Sequence, residues 1–146
     1  MTTPAAAPAI HPVVVVDTSV WISLIHRADA NHSAALSWVG QHVQQGGSLL
    51  APTILVIETA SSLVRATNRA PVAQRAVHDL TTRSFLRLVP MDQPLVDESV
   101  RLAVSCRLRG ADAIFVALAW REGVPLVTFD QEQLTRSAGI IAVLRP

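Results

Sequence analysis

The sequence predicts a single-domain α/β/α sandwich with a central parallel sheet. Short apolar runs alternate with segments of helical spacing, and short connections join them. The first run, Val13–Val16, holds four β-branched residues without polar alternation, which is typical of a strand buried on both faces. Because 50% of the 146 residues are apolar and 16% are charged, the composition supports one buried core. Right-handed crossovers between successive strands predict that the sheet is parallel.

The first half of the chain is punctuated by recognisable helix signals. Asn31 is a candidate N-cap, and two glycines near position 46 are typical of a helix end. The predicted elements are a strand at 13–16, a helix at 20–27, a helix from 32 to the glycines at 46 and 47, a strand at 48–51, and a helix opened by Pro52 and Thr53.

The second half repeats the alternation. Pro71 suits a first helical turn, Asp92 is a candidate N-cap, and Gly123 suits a helix end. The predicted elements are a helix at 71–83, a strand at 85–89, a helix from Asp92 to Gly110, a helix from 111 to Gly123, a strand at 125–130, a short helix at 131–136, and a strand at 140–144.

The first twelve residues differ from the rest of the chain. Residues 1–12 are rich in Pro and Ala, lack a positively charged start, and are expected to form a mobile tail rather than a signal peptide. The folded domain is expected to span residues 13–146. Because no apolar run approaches the roughly 18 residues that cross a bilayer, we expect a soluble, cytoplasmic protein.

The basic residues exclude several kinds of chemistry. All 12 of them are Arg, so the chain lacks the Lys that a P-loop, a Schiff-base enzyme or a receiver domain requires. A single cysteine, Cys106, excludes an internal disulfide and a cysteine-based zinc site, and it fits a reducing cytoplasm. The net charge of +1 means that polyanion binding must come from local clusters.

Four carboxylates stand where a parallel sheet presents side chains to a ligand. Asp17 and Asp130 end predicted strands, while Glu58 and Asp112 lie early in predicted helices. Because strand carboxyl ends and the following helix N-termini share one edge, we expect all four to converge. Each also has a simpler interpretation: a helix cap for Asp17, a solvated side chain for Glu58, a dipole-matched residue for Asp112, and a turn former for Asp130.

Clustered carboxylates without a Lys require cations. Hard oxygen ligands of this kind select Mg²⁺ or Mn²⁺. Such an ion orients a water, lowers its pKa, and stabilises the leaving oxygen of a displacement at phosphorus. The predicted chemistry is therefore metal-dependent hydrolysis of a phosphodiester.

The four acids lie in short segments with a recognisable sequence. These are Asp17-Thr18-Ser19-Val20-Trp21-Ile22, Glu58, Gly110-Ala111-Asp112-Ala113-Ile114 and Thr128-Phe129-Asp130. Together they resemble the motifs of PIN-domain ribonucleases, and most closely those of the VapC toxins of prokaryotic toxin–antitoxin pairs. The resemblance covers the chain after the Pro-rich tail.

This resemblance implies a five-stranded parallel sheet and a Mg²⁺- or Mn²⁺-dependent endoribonuclease that is active as a homodimer. It also implies a cognate antitoxin that occludes the site, as in type II systems. Ser19 and Thr128 would be polar groups that support the ligands. The residues that would bind metal or position the attacking water are Asp17, Glu58, Asp112 and Asp130.

Two arginines are candidate substrate-binding residues. Arg65 and Arg69 lie seven and eleven positions after Glu58, which at about 100° per residue returns both to its side of a continuous helix. On that face they would contact the RNA backbone. They would alternatively bind antitoxin carboxylates or remain solvated.

A second hypothesis belongs to a different functional class. The chain would then be a non-catalytic PIN-like module that binds RNA or protein, and its acids would hold a structural ion or cap helices. RNA cleavage that depends on Mg²⁺ and on Asp17 separates the two hypotheses, and so does a neighbouring antitoxin gene.

Overall fold

Five parallel strands form the centre of the molecule. A computed structural model describes residues 11–146, so most of the predicted N-terminal tail lies outside the described residues. Pro12 already accepts a backbone hydrogen bond from Ser48 (2.8 Å). The strands are β1 (Val13–Val16), β2 (Ser48–Pro52), β3 (Leu86–Val89), β4 (Leu126–Val127) and β5 (Val143–Leu144).

The order of the strands creates a switch point beside β1. The sheet runs β3-β2-β1-β4-β5, and every pair is parallel. The chain therefore builds outward from β1 to β3 and then returns to the other side of β1 with β4. Ligands of open α/β sheets bind outside the carboxyl ends of the strands at such a reversal. In this protein, those ends are Asp17 and Thr128.

Seven helices flank the sheet within residues 11–146, which confirms the predicted α/β/α sandwich. The longest have 14 residues, and no helix in this range is long and apolar enough to cross a membrane. The helices are α1 (Thr18–Ile25), α2 (His32–Gln44), α3 (Ile54–Thr67), α4 (Ala70–Thr82), α5 (Gln93–Cys106), α6 (Gly110–Glu122) and α7 (Gln131–Arg136).

Helix α6 is the most deeply buried helix. Five successive residues, Phe115 to Ala119, are each at most 1% exposed, so the helix is apolar on all sides. It packs against β1, β2 and β4, and α5 packs against it in turn. The small residues Ala113, Ala117 and Ala119 permit this close approach to the strands. The position of α6 brings its first turn, with Asp112, to the carboxyl edge of the sheet.

Several predicted boundaries were wrong. Helix α5 ends at Cys106 rather than Gly110 because Arg107 adopts a left-handed conformation with φ of 54°. Strands β4 and β5 each have only two residues, fewer than predicted. The side chain of the predicted cap Asn31 makes no capping hydrogen bond, and neither does that of Thr53, the residue before α3.

The prediction that Arg69 shares a helix face with Glu58 was also wrong. Helix α3 ends at Thr67, Asn68 is left-handed with φ of 52°, and Arg69 is the extended N-cap residue of α4. The reason is Pro71: in one continuous helix it would donate no hydrogen bond to Thr67 and would clash with that carbonyl. Arg65 remains in α3.

Candidate active site

Asp17 is held at the junction of β1 and α1. Its backbone N–H donates to Val127 of β4 (3.0 Å), and its Oδ2 accepts from the backbone of Ser19 (3.1 Å). Asp17 therefore is the N-cap of α1, as the simpler interpretation held. It is also only 5% exposed. A buried charge requires more partners than a cap supplies.

Two hydroxyls supply part of that support. Thr128 Oγ1 donates to Asp17 Oδ2 (3.1 Å) and accepts from the backbone of Asp130 (2.9 Å). Because that donation uses the only hydroxyl proton of Thr128, Ser19 must donate in the 3.3 Å contact between the two hydroxyls. Ser19 Oγ in turn accepts from the backbone of Phe129 (3.0 Å). The network joins the ends of β1 and β4.

Gln133 links two of the acids, and sequence reasoning missed it. Its side chain is fully buried, and Nε2 lies 3.2 Å from Asp17 Oδ1 and 2.9 Å from Asp112 Oδ1. The two carboxylates therefore share a single amide donor. This contact places the first turn of α6 directly beside the end of β1.

Glu58 reaches the same region from α3. Its Oε1 accepts a hydrogen bond from Thr18 Oγ1 (2.7 Å), the residue that follows Asp17. Burial raises the pKa of Glu58, and the negative charges of Asp17 and Asp112 raise it further, while the Thr18 hydrogen bond opposes the rise. The half-buried carboxylate therefore lies within the field of the other two.

Arg109 is a second residue that sequence reasoning missed. Its Nε lies 2.8 Å from Asp112 Oδ2, and its Nη2 lies 2.8 Å from Asp130 Oδ2. One guanidinium thus joins two of the predicted acids, although its own side chain is 65% exposed. The chain contains no Lys that could take this place. Arg109, three positions before Asp112, is the cation that partly neutralises the cluster.

The electrostatics of Asp112 show how far this neutralisation goes. Burial raises the pKa of Asp112, and the Asp17 charge adds to the rise. The hydrogen bonds from Arg109 and Gln133 oppose it without cancelling it. Net negative charge therefore remains concentrated at the edge of the sheet.

Comparison with known proteins identifies the architecture. The family model described as PIN domain matches residues 14–139, most of the chain. The chain belongs to the PIN-domain family. This PIN domain is 30% identical over 136 residues to Ribonuclease VapC39 of Mycobacterium tuberculosis, and the match covers 89% of this chain and 98% of that protein. The resemblance drawn from the four motifs is thereby confirmed.

Solved structures share the fold of this PIN domain. VapC20 of Mycobacterium tuberculosis, a toxin described as cleaving the sarcin–ricin loop, superposes with a TM-score of 0.74 at 20% identity, covering 91% of this chain and 99% of that one. A toxin–antitoxin complex from Klebsiella pneumoniae gives 0.62 at 20% identity, covering 90% and 95%. VapBC2 of Rickettsia felis, bound to promoter DNA, gives 0.67 at 12%, covering 92% and 98%. At these identities the likeness concerns the fold alone.

The donor set of this PIN domain fits a small hard cation. Asp17 Oδ1 and Asp112 Oδ1 both lie within hydrogen-bond distance of Gln133 Nε2, so the two carboxylates are near neighbours. Within residues 11–146, no three Asp, Glu, His or Cys side chains are gathered closely enough to hold an ion by themselves. Mg²⁺ requires fewer, because it keeps several waters and binds one or two carboxylates together with substrate phosphates. The two aspartates meet that requirement, and Glu58 and Asp130 flank them.

The predicted substrate-binding residue Arg65 lies outside this hydrogen-bond network. Arg65 is exposed, and its Nε donates to the carbonyl of Ser61 within α3 (3.2 Å). A cavity of about 350 Å³ lies near the opposite end of β4, with a lining that includes Trp120, Pro125 and Ile141. None of the candidate acids lines it. The candidate acids therefore lie away from this cavity, at the carboxyl edge of β1 and β4.

Proposed function

We propose that this PIN domain is an endoribonuclease that hydrolyses RNA phosphodiester bonds with Mg²⁺ or Mn²⁺. The observation that carries the proposal is the meeting of Asp17 and Asp112 on one amide donor at the switch point of the sheet. The relative named Ribonuclease VapC39, which matches over nearly its whole length, supports RNA as the substrate.

Each acid has a distinct task in this proposal. Asp17 and Asp112 would hold the ion, and Glu58 and Asp130 would complete its surroundings or position the attacking water. A bound Mg²⁺ or Mn²⁺ would supply the positive charge that activates a water and stabilises the leaving oxygen. Glu58 suits the task of accepting a proton, because its raised pKa makes its carboxylate a better base.

The supporting residues keep this arrangement rigid. Thr128 and Ser19 fix the Asp17 carboxylate by hydrogen bonds that span β1 and β4. Thr18 fixes one oxygen of Glu58. Rigid placement matters because catalytic groups act only when held close to their productive geometry.

Cleavage of labelled RNA by the purified protein tests the proposal. Wild type should cleave in Mn²⁺ and not in EDTA, and Asp17→Asn should be inactive while unfolding at a similar temperature. Asp92→Asn is the matched control, since Asp92 also caps a helix after a strand but lies outside the cluster. Wild-type cleavage by Asp17→Asn would remove Asp17 from the reaction.

We further propose that the enzyme is the toxin of a type II toxin–antitoxin pair in the cytoplasm. Its fold is that of structures described as toxins and toxin–antitoxin complexes. Expression of wild type alone should slow growth, expression of Asp17→Asn should not, and a small neighbouring gene should encode the antitoxin. Arg65, on the exposed side of α3, is a candidate contact for the RNA backbone or for antitoxin carboxylates.

A homodimer is part of the same proposal. Val100 and Val104 of α5 are 60% and 77% exposed, and Trp120 of α6 is 47% exposed. The guanidinium of Arg101 lies over the Trp120 ring at 5.3 Å. Exposed apolar side chains of this size on two packed helices suit burial against a second copy. Ultracentrifugation should give a dimer for wild type and a monomer for Val104→Arg.

The alternative of a non-catalytic module also has an observation in its favour. Asp17 and Asp130 both cap helices, and Arg109 pairs with two of the acids, as in a purely structural cluster. Such a protein would bind RNA equally well in EDTA and would cleave nothing. The cleavage assay with Asp17→Asn distinguishes the two functions.

A further inference from the structure

Gln133 is a buried polar residue that the fold does not explain. Its side chain is fully buried on α7, and its Oε1 accepts no hydrogen bond from any described residue. A buried polar atom without a partner lowers stability, whereas an apolar side chain of similar size would not. The residue therefore has a task that packing alone does not supply.

Capping of α7 is not that task. Asp130 is the N-cap and Gln133 lies three positions later, the spacing at which a glutamine side chain returns to the N-cap backbone. Here the backbone N–H of Asp130 donates to Thr128 Oγ1 instead (2.9 Å). The Gln133 backbone N–H still donates to Asp130 Oδ1 (2.9 Å), but the side-chain amide takes no part in the cap.

The side-chain amide of Gln133 bonds to the two aspartates instead. Its Nε2 donates to Asp17 Oδ1 at 3.2 Å and to Asp112 Oδ1 at 2.9 Å. Both protons of one nitrogen are thereby used on two carboxylates from different elements. Without this bridge, the Asp112 side chain would be held mainly by the exposed Arg109.

We propose that Gln133 is a positioning residue, whose amide holds the Asp17 and Asp112 carboxylates at the separation at which they bind one divalent cation together. The inference rests on the proposed function, since it concerns the same centre. Groups that orient metal ligands without binding the metal change metal affinity or activity by about 10–100-fold when they are replaced. The Gln133 amide is placed to have an effect of that size.

Calorimetric titration of the full chain with Mn²⁺ tests this inference. Gln133→Met keeps the length of the side chain and removes its donors, and we expect its Kd for Mn²⁺ to rise by about 10–100-fold. Gln131→Met is the matched control: Gln131 is exposed on the same helix, and among the described residues its side chain bonds only to Thr135 (3.2 Å). Its Kd should equal that of wild type.

Cleavage kinetics give a second measurement that a purely structural role would not affect. Gln133→Met should lower kcat with little change in KM for RNA, since Gln133 acts on the ligands and contacts no substrate. If Gln133→Met does not unfold cooperatively in EDTA, Gln133→Glu decides. A third carboxylate beside Asp17 and Asp112 should lower the melting temperature in EDTA and enlarge its rise in Mn²⁺.

The outcomes are separable. If wild type binds Mn²⁺ and Gln133→Met binds it within twofold as tightly, Gln133 is a filler and the inference fails, while the proposed function stands. A Gln133→Glu variant that behaves as wild type in both conditions has the same meaning. If wild type itself gives no Mn²⁺ binding heat, the metal centre and the inference fail together.

Discussion

Asp17 and Asp92 show the same local design with opposite outcomes. Each follows a strand and caps the next helix: Asp17 after β1, and Asp92 shortly after β3. Asp92 accepts from the backbone of Leu95 (2.9 Å) and pairs with Arg121 (3.0 Å). Its side chain is 53% exposed, and the Leu95 and Arg121 contacts lower its pKa. Its charge is satisfied where it stands.

The acids beside Asp17 are in the opposite situation. Burial raises the pKa values of Glu58 and Asp112, and neighbouring carboxylates add to the rise. The difference follows from position in the sheet, since β3 is an edge strand while β1 adjoins the switch point. A strand that ends in a capping Asp is therefore a common structural device. The candidate site differs from a simple helix cap because its carboxylates are buried beside one another.

The largest expected difference between the two regions is in RNA cleavage. Asp112→Asn should lower kcat/KM by more than about a hundredfold, since loss of a ligand charge should exceed the effect of losing a group behind the ligands. Asp92→Asn should cleave as wild type does. Rates from initial velocities in Mn²⁺ provide the measurement, and equal losses in both variants would abolish the distinction.

Stabilisation by metal should differ next. An ion that binds only the folded state adds about 2.7 kcal/mol at a hundredfold excess over Kd. Thermal scans in EDTA and in millimolar Mn²⁺ should show that increase for wild type and for Asp92→Asn, and much less for Asp112→Asn. If metal shifts all three equally, Asp112 binds no metal and is only a first-turn residue that interacts with the helix dipole.

Arg109 and Arg121, the arginines that pair with the acids of the two regions, provide a third comparison. In EDTA at neutral pH, Arg109→Ala should melt below wild type, because two carboxylates that are 17% and 24% exposed, Asp112 and Asp130, lose a shared counter-charge. Arg121→Ala should melt closer to wild type, since its partner Asp92 is 53% exposed and an ion pair with an exposed carboxylate contributes little. Mn²⁺ should restore more stability to Arg109→Ala than to wild type. A similar response of both variants would show that Arg109 is an ordinary surface residue.

The smallest effect concerns pH. The raised pKa of Asp112 means that its ionisation destabilises the metal-free fold as the pH rises above its ordinary value of 3.8. In EDTA at pH 7, Asp112→Asn should therefore melt above wild type. The difference in melting temperature should disappear as the pH falls through the raised pKa of Asp112 towards 3.8.

For Asp92 the sign is reversed. Its pKa is lowered, so its charge contributes stability above 3.8 that is lost as the pH falls further. Asp92→Asn should accordingly melt below wild type at pH 7, and the two should converge in acid. The pair of variants should thus approach wild type from opposite sides, which a series of melting curves in EDTA measures directly.

The acids could be predicted because strand ends and helix starts are visible in the sequence. Asp17 follows a run of four valines, and parallel topology then brings Asp112 to the same edge. Arg109 and Gln133 were missed because their contacts depend on where α6 and α7 lie. The spacing of Asp130 and Gln133 is that of a capping box, and nothing local shows that Thr128 replaces Gln133 in it.

The predicted ends of two helices were wrong for a related reason. The end of α5 depends on a left-handed Arg107, and the break after α3 depends on a left-handed Asn68. Arginine gives no local signal for that conformation, and Asn gives only a weak one. The helical spacing of the sequence continues past both residues, so it predicts no break there. Only Pro71 indicates that the helix face of Glu58 does not extend to Arg69.

The separation of the site residues along the chain has a consequence for synthesis of the protein. Asp17 bonds to Thr128 and to Gln133, which lie 111 and 116 positions later. Because chains emerge from the ribosome N-terminus first, a nascent chain that ends before α7 lacks the Gln133 bridge, even with β1, β2 and β3 already made. Assembly of the centre is thereby deferred until the ribosome has translated nearly all of the domain.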